Sequence, residues 1–309
     1  MTTARSISTL RTTLFTLVGG ALVLAGCASL DGATDDEDLQ ADELDGTPQL
    51  PHAQVCSGGR FTCKAHVRVD DRGQIALAAT PSGLRPADFT SAYKLSAAKT
   101  STATIAIVDA FNYPNAASDL ATYRSQFGLP ACTVASGCFT IVNQNGATSP
   151  LPGNAPAGDD WTVEAALDLQ MASATCPTCK LVLFAAQDDQ GNGLFIAQNA
   201  AAARAGVVAI SNSWGEPSPG NDVSLDSQFF THSQTVNTFV SSGDSGNTGA
   251  AGDYPSTSAH VIAVGGTHLV KSTTAARGWT ETVWRGAGSS CSGTNAKPAF
   301  QSAAVPTAA

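Results

Sequence analysis

The sequence predicts an α/β domain built on a parallel sheet with helices on both faces. Three observations carry this reading. Five short runs, at residues 104–109, 180–186, 207–211, 238–242 and 261–264, are almost continuously apolar, as strands buried on both faces are. Helix candidates alternate with them at 116–127, 160–173, 194–205 and 222–234, and strand-helix alternation yields parallel sheets. The chain has 309 residues, 43% of them hydrophobic and 13% charged, which is ample apolar material for a large core.

Taken in order, residues 1–27 carry Arg5 and Arg11, an apolar run over 14–24, and then Leu24-Ala25-Gly26-Cys27. This is the pattern of a bacterial export signal ending in a lipobox, and the run is short for a membrane span. By resemblance to lipoproteins, Cys27 is expected to be acylated and to become the new N-terminus. The mature protein would then be lipid-anchored in the cell envelope or outside the cell. Residues 28–50 are acidic, small and free of aromatics, and read as a solvated tether. Eight acidic residues between Asp31 and Asp45 account for most of the net charge of −9, so the remainder is close to neutral and offers no basic surface for nucleic acid. Residues 51–90 form a short N-terminal extension, with a hairpin pattern over 65–78 turning at Asp71-Arg72-Gly73 and a Pro-rich junction. Residues 91–309 hold the main domain, which is expected to be monomeric.

Export makes disulfides the default for the other seven cysteines. Three close-spaced pairs present themselves, Cys56 with Cys63, Cys132 with Cys138 and Cys176 with Cys179, which leaves Cys291 without a partner. The Cys176-Pro177-Thr178-Cys179 run has no second such motif or suitable histidine pair to complete a zinc site.

The candidate chemistry is acidic. Asp159 and Asp160 precede a helix start that carries Glu164 and Asp168, four residues apart and therefore neighbours on one face. No lysine or arginine lies between Arg124 and Lys180 to neutralise them. Paired carboxyls can share a proton, which separates their titrations and lets one act as a base while the other orients it. On many helix faces the same spacing is merely solvated. Further on, an apolar strand runs into Ser241-Ser242-Gly243-Asp244-Ser245-Gly246, which puts Asp244 at a strand's carboxyl end, where open α/β sheets bind ligands. Ser211-Asn212-Ser213-Trp214-Gly215 ends another strand in the same way.

The order WTVEAALD, SNSWG, SSGDSG, VIAVGGT, ETVWRGAGSSCSG, KPAFQ resembles the sedolisin family of serine-carboxyl peptidases over roughly residues 86–301. The resemblance implies a subtilisin-like fold and a peptide or protein substrate. It implies that Glu164 is the catalytic base, Asp168 the carboxylate orienting it, and Asp244 the acid of the oxyanion hole. It also assigns Ser213, Trp214 and Gly215 to the strand that pairs with bound peptide. A carboxyl group can donate to an oxyanion only while protonated, so this chemistry implies an acidic working range.

The family's nucleophile lies in a GTSxxxP motif beyond the KPAFQ-like stretch, and no GTS occurs among the 309 residues. The expectation is an incomplete peptidase domain with its C-terminal part missing, inactive or a fragment, with Cys291 bereft of its partner. The family's calcium site falls in that same region, so no metal ligand is assigned and no cofactor is expected. A subtilisin-type triad using Asp109 finds no histidine in a suitable context, and Asp109 reads as a structural strand-end residue. The glycine spacing around Gly243 does not fit a dinucleotide site. The alternative from another class is a non-catalytic surface lipoprotein that binds peptides or envelope components through the retained cleft.

Overall fold

The computed structural model describes residues 51–301 apart from 57, 77–80, 82, 96–100, 231–235 and 251. The export signal with Cys27, the acidic tether and the tail from Ser302 lie outside the described residues.

The chain enters through three short strands, β1 (His52–Gln54), β2 (Thr62–Cys63) and β3 (His66–Arg68), followed by helix α1 (Pro86–Ala92). Then come β4 (Thr104–Ala110), α2 (Ala116–Gln126), β5 (Phe139–Asn143), α3 (Trp161–Thr175), β6 (Lys180–Ala186), α4 (Gly193–Ala203) and β7 (Val207–Asn212). The second half contributes β8 (Trp214–Pro217), α5 (Asp222–Phe229), β9 (Asn237–Ser241), β10 (Asn247–Gly249), β11 (Asp253–Tyr254) and β12 (Ile262–Val264). It closes with β13 (Thr267–Lys271), β14 (Trp279–Val283) and β15 (Ser289–Ser290).

Six strands form one parallel sheet in the order β12-β9-β7-β4-β6-β5. The two-residue period of a strand explains how apolar runs serve two layers at once. Ile107, Leu181 and Leu183 point to one face and pack with Leu120, Ala165 and Leu169 of α2 and α3. Their neighbours Ala106, Val108, Val182 and Phe184 point to the other face and pack with Leu194, Phe195 and Ala201 of α4. The expected α/β class, with helices on both faces of a parallel sheet, is what the chain forms.

Two elements differ from the sequence reading. Strand β5 follows the Cys132–Cys138 loop and is partly polar, so its five residues carried no continuous apolar signal, yet it pairs with β6 along its whole length. The helix expected over 222–234 ends at Phe229, and residues 231–235 lie outside the description. The 65–78 hairpin is present in part. Asp70 Oδ1 accepts the N–H groups of Arg72 and Gln74, Gly73 takes a positive φ of 72°, and Val69 bridges Ile75.

All three close-spaced cysteine pairs are disulfides. Cys291 is disulfide-bonded as well, and there is no free cysteine among those described. The expectation of an unpaired Cys291 is therefore corrected. Sequence spacing showed only near partners, and a long-range bridge leaves no local signal.

Candidate active site

The carboxyl ends of three adjacent strands, β9, β7 and β4, carry the Asp244 loop, Ser213 and Asp109 respectively. Helix α3 packs against β4 and β6 and brings Glu164 and Asp168 to the same end. Its buried positions Trp161, Glu164, Ala165 and Leu169 follow helical spacing, so the polar Glu164 is carried inward by its apolar neighbours. Ser213 Oγ lies 2.8 Å from both oxygens of Asp168, which ties the helix to the turn between β7 and β8. Glu164 Oε2 accepts two backbone N–H groups, from Lys64 at 2.5 Å and Ala65 at 2.6 Å.

Asp109 joins this cluster. It is only 1% exposed, and neither of its carboxyl oxygens has a hydrogen-bond partner among the described residues. Burial, then the charges of Asp168 and Glu164, push its pKa well above the usual carboxylate range. Burial and the Asp168 charge do the same to Glu164, opposed by the two amide donors, while the Asp244 charge adds to the rise. Burial pushes Asp168 up to about 6, against the stabilising hydroxyl of Ser213. Asp109 and Glu164 thus resist ionising beside a charged Asp168, and the cluster disfavours carrying three charges at once.

Asp244 sits in a loop that needs glycine. Gly243 has φ 101°, and a Cβ there would lie 2.7 Å from Asp253 Oδ2. Gly288 clasps the loop from outside, its N–H donating to Gly243 O at 2.7 Å. His66 Nε2 lies 3.4 Å from Asp244 Oδ2. Strand β8 forms a second, antiparallel sheet with β11 on one side and β2 on the other. Its Trp214 is fully buried and donates its indole N–H to Val108 O at 2.9 Å, fixing β8 over the end of β4. Among the described residues no group of three or more His, Cys, Asp or Glu side chains is arranged to hold a metal ion.

A family model for the subtilase family of peptidases matches residues 138–307, more than half of the chain. The chain belongs to the subtilase family. Within it, the likeness is to sedolisin-type, serine-carboxyl peptidases. Kumamolisin of Bacillus sp. (strain MN-32) is 34% identical over 179 residues, covering 53% of this chain and 30% of kumamolisin. A Pseudomonas sedolisin, a serine-carboxyl proteinase solved with two molecules of pseudo-iodotyrostatin, superposes with a TM-score of 0.57 at 25% identity. That match covers 74% of this chain and 68% of the sedolisin. The chain thus spans less than a third of the curated relative it matches.

In this subtilase the residues singled out from sequence fall into one neighbourhood. Glu164 and Asp168 share a helix face, Ser213 bonds Asp168, and Trp214 and Gly215 pair with an incoming strand. Asp244 faces the same space, coupled to Glu164 by charge rather than by a hydrogen bond. Sequence reasoning left out Asp109 as a site residue, although an acidic residue inside an otherwise apolar strand was the available signal. It also left out Lys64, His66 and Asp253. Lys64 Nζ meets Asp253 Oδ2 at 2.9 Å across 189 residues of chain, and no local pattern announces such a pair.

Proposed function

We propose that this chain carries the acidic half of a sedolisin-type peptidase centre and binds an extended peptide along Ser213, Trp214 and Gly215. The observation that supports it most is the convergence of Glu164, Asp168 and Asp244 on the carboxyl end of the sheet, beside β8, whose Trp214 and Gly215 pair with the extended residues of β2. In this reading Glu164 takes the proton of a serine hydroxyl, Asp168 orients it, and Asp244 donates to the oxyanion while protonated. Burial raises the pKa of Glu164 and Asp168, so each holds its proton to higher pH than an exposed carboxyl and the base form grows only as pH rises above the ordinary carboxylate range.

No GTSxxxP segment occurs among the 309 residues, so the part of the centre assigned here is the one that binds peptide and holds the acidic groups. An export signal would deliver it to the cell envelope or beyond, where it meets exported protein or peptide. The test is an assay of the purified mature chain on a denatured protein at about pH 4. The expected outcome is saturable binding without hydrolysis. Hydrolysis that Glu164→Gln abolishes would show an active enzyme and overturn the inactive reading.

A further inference from the structure

The ribbon formed by β1 and β3 brings two histidines together. The strands pair antiparallel with His52 opposite Arg68 and Gln54 opposite His66, so His52 and His66 are diagonal neighbours on one face. Their Nδ1 atoms face each other at 3.0 Å, with ring centroids 4.8 Å apart and an angle of 75° between the planes. His52 is exposed and His66 keeps 27% of its side chain exposed, so the pair is reachable from solvent. The second ring nitrogen of His66, Nε2, faces Asp244 Oδ2, and the ring makes a T-shaped contact with Trp284. Nothing in the proposed peptide chemistry uses either histidine.

We propose that His52 and His66 form a binding site for a divalent first-row transition ion, with Asp244 as the carboxylate that orients His66. Proton placement supports the assignment. A carboxyl oxygen beside Nε2 favours the neutral imidazole with its hydrogen on Nε2, which leaves the Nδ1 lone pair pointing at His52. Metal-bound imidazoles adopt this same arrangement, with the second nitrogen turned to a carboxylate. His52 is exposed, so water can accept from its Nε2–H once its own Nδ1 is given to the ion. Distance narrows the choice of ion. With metal–nitrogen bonds of about 2.05 Å, nitrogens 3.0 Å apart subtend about 94° at the metal, whereas a tetrahedral angle needs about 3.3 Å. The pair therefore fits neighbouring corners of a square-planar or tetragonal ion, the preference of Cu2+ and Ni2+, better than it fits tetrahedral zinc. Ca2+ and Mg2+ are disfavoured, because they take oxygen and the site offers imidazole nitrogen. Two protein ligands leave the other positions to water, which makes the ion exchangeable. Bound there, it would tie β1 to β3 and hold His66 against the Asp244 loop. The site does not depend on the peptide-binding reading of the cleft.

The test is calorimetric titration of the untagged mature chain, dialysed free of metal, with Ni2+. One equivalent should bind and raise the Tm by about 5 °C at a hundredfold excess over Kd, and a chelator should reverse the shift. His52→Gln and His66→Gln should each weaken binding at least about tenfold, and Asp244→Asn about tenfold through the orientation of His66. His260→Gln should bind as the wild type does. Absence of saturable binding, or binding that both His52→Gln and His66→Gln retain, overturns the site. Unchanged affinity in Asp244→Asn overturns the role given to that carboxylate. If a histidine variant fails to fold, the electron paramagnetic resonance spectrum of the wild type with one equivalent of Cu2+ decides. Two equatorial imidazole nitrogens support the pair, and one or none overturns it.

Discussion

At the scale of single residues, the buried carboxyls are the costliest feature of the chain. Asp109, Glu164 and Asp168 all have a folded-state pKa raised above its ordinary value, so the folded chain holds more protons than the unfolded one. Their contribution to stability is therefore full below the unfolded pKa and is lost as pH rises through the folded pKa. For Asp168 the window runs from 3.8 to about 6. Asp109→Asn removes one such group, and its Tm should rise relative to the wild type as pH goes from about 4 to about 7, by roughly 5 °C over the range. Paired thermal melts at the two pH values check this, and a pH-independent difference would remove Asp109 from the cluster. The acidic pair Glu164 and Asp168 was legible in the sequence because four-residue spacing on a helix is a local fact. The third member was not, because adjacency between α3 and the end of β4 belongs to packing.

At the scale of elements, the helices hold the site by a few buried polar anchors. Arg124, near the end of α2, is 1% exposed and donates to Pro130 O, to Ser173 Oγ on α3 and to Pro177 O inside the Cys176–Cys179 loop. One guanidinium thereby joins α2, the far end of α3 and a disulfide loop. Arg124→Ala leaves those acceptors buried without a donor and should cost about 3 kcal/mol in urea unfolding. Peptide binding should weaken less than stability does, since Glu164 lies at the other end of α3. The strands and helices of the main sheet were predicted nearly to their ends, with 180–186 recovered without change as β6. Strand β5 escaped because its alternation is imperfect, and the N-terminal extension was read as a passage into the domain. Its three residues against β8 are too short for any periodic signal.

At the scale of the whole molecule, the sheet is unevenly covered. Its β12 edge leaves Ile262 and Val264 exposed by 45% and 49%, and Phe300 by 76%. A cavity of about 810 Å³ opens beside them, bordered by Ser242, Val261, Gly265 and Phe300. Exposed apolar surface on an edge strand favours self-association. The purified domain should bind a hydrophobic dye and associate as concentration rises. Ile262→Lys should reduce both while shifting the Tm by less than roughly 2 °C, as surface substitutions do. Dye fluorescence and light scattering across a concentration series check this, and undiminished association in the variant would place the sticky surface elsewhere.

The sequence by itself determined the class of fold, most of the strand and helix positions, the three close-spaced cysteine pairs as disulfide candidates and the helix that carries Glu164 and Asp168. Each depends on neighbours within a few residues, where periodicity and spacing are readable. Tertiary structure alone decided that Asp109 lies within reach of the charges of that pair, that Cys291 is bridged, and that Lys64 lies on Asp253 with its amide on Glu164. These contacts join residues far apart in the chain, and their energy comes from burial and charge that exist only once the layers have packed.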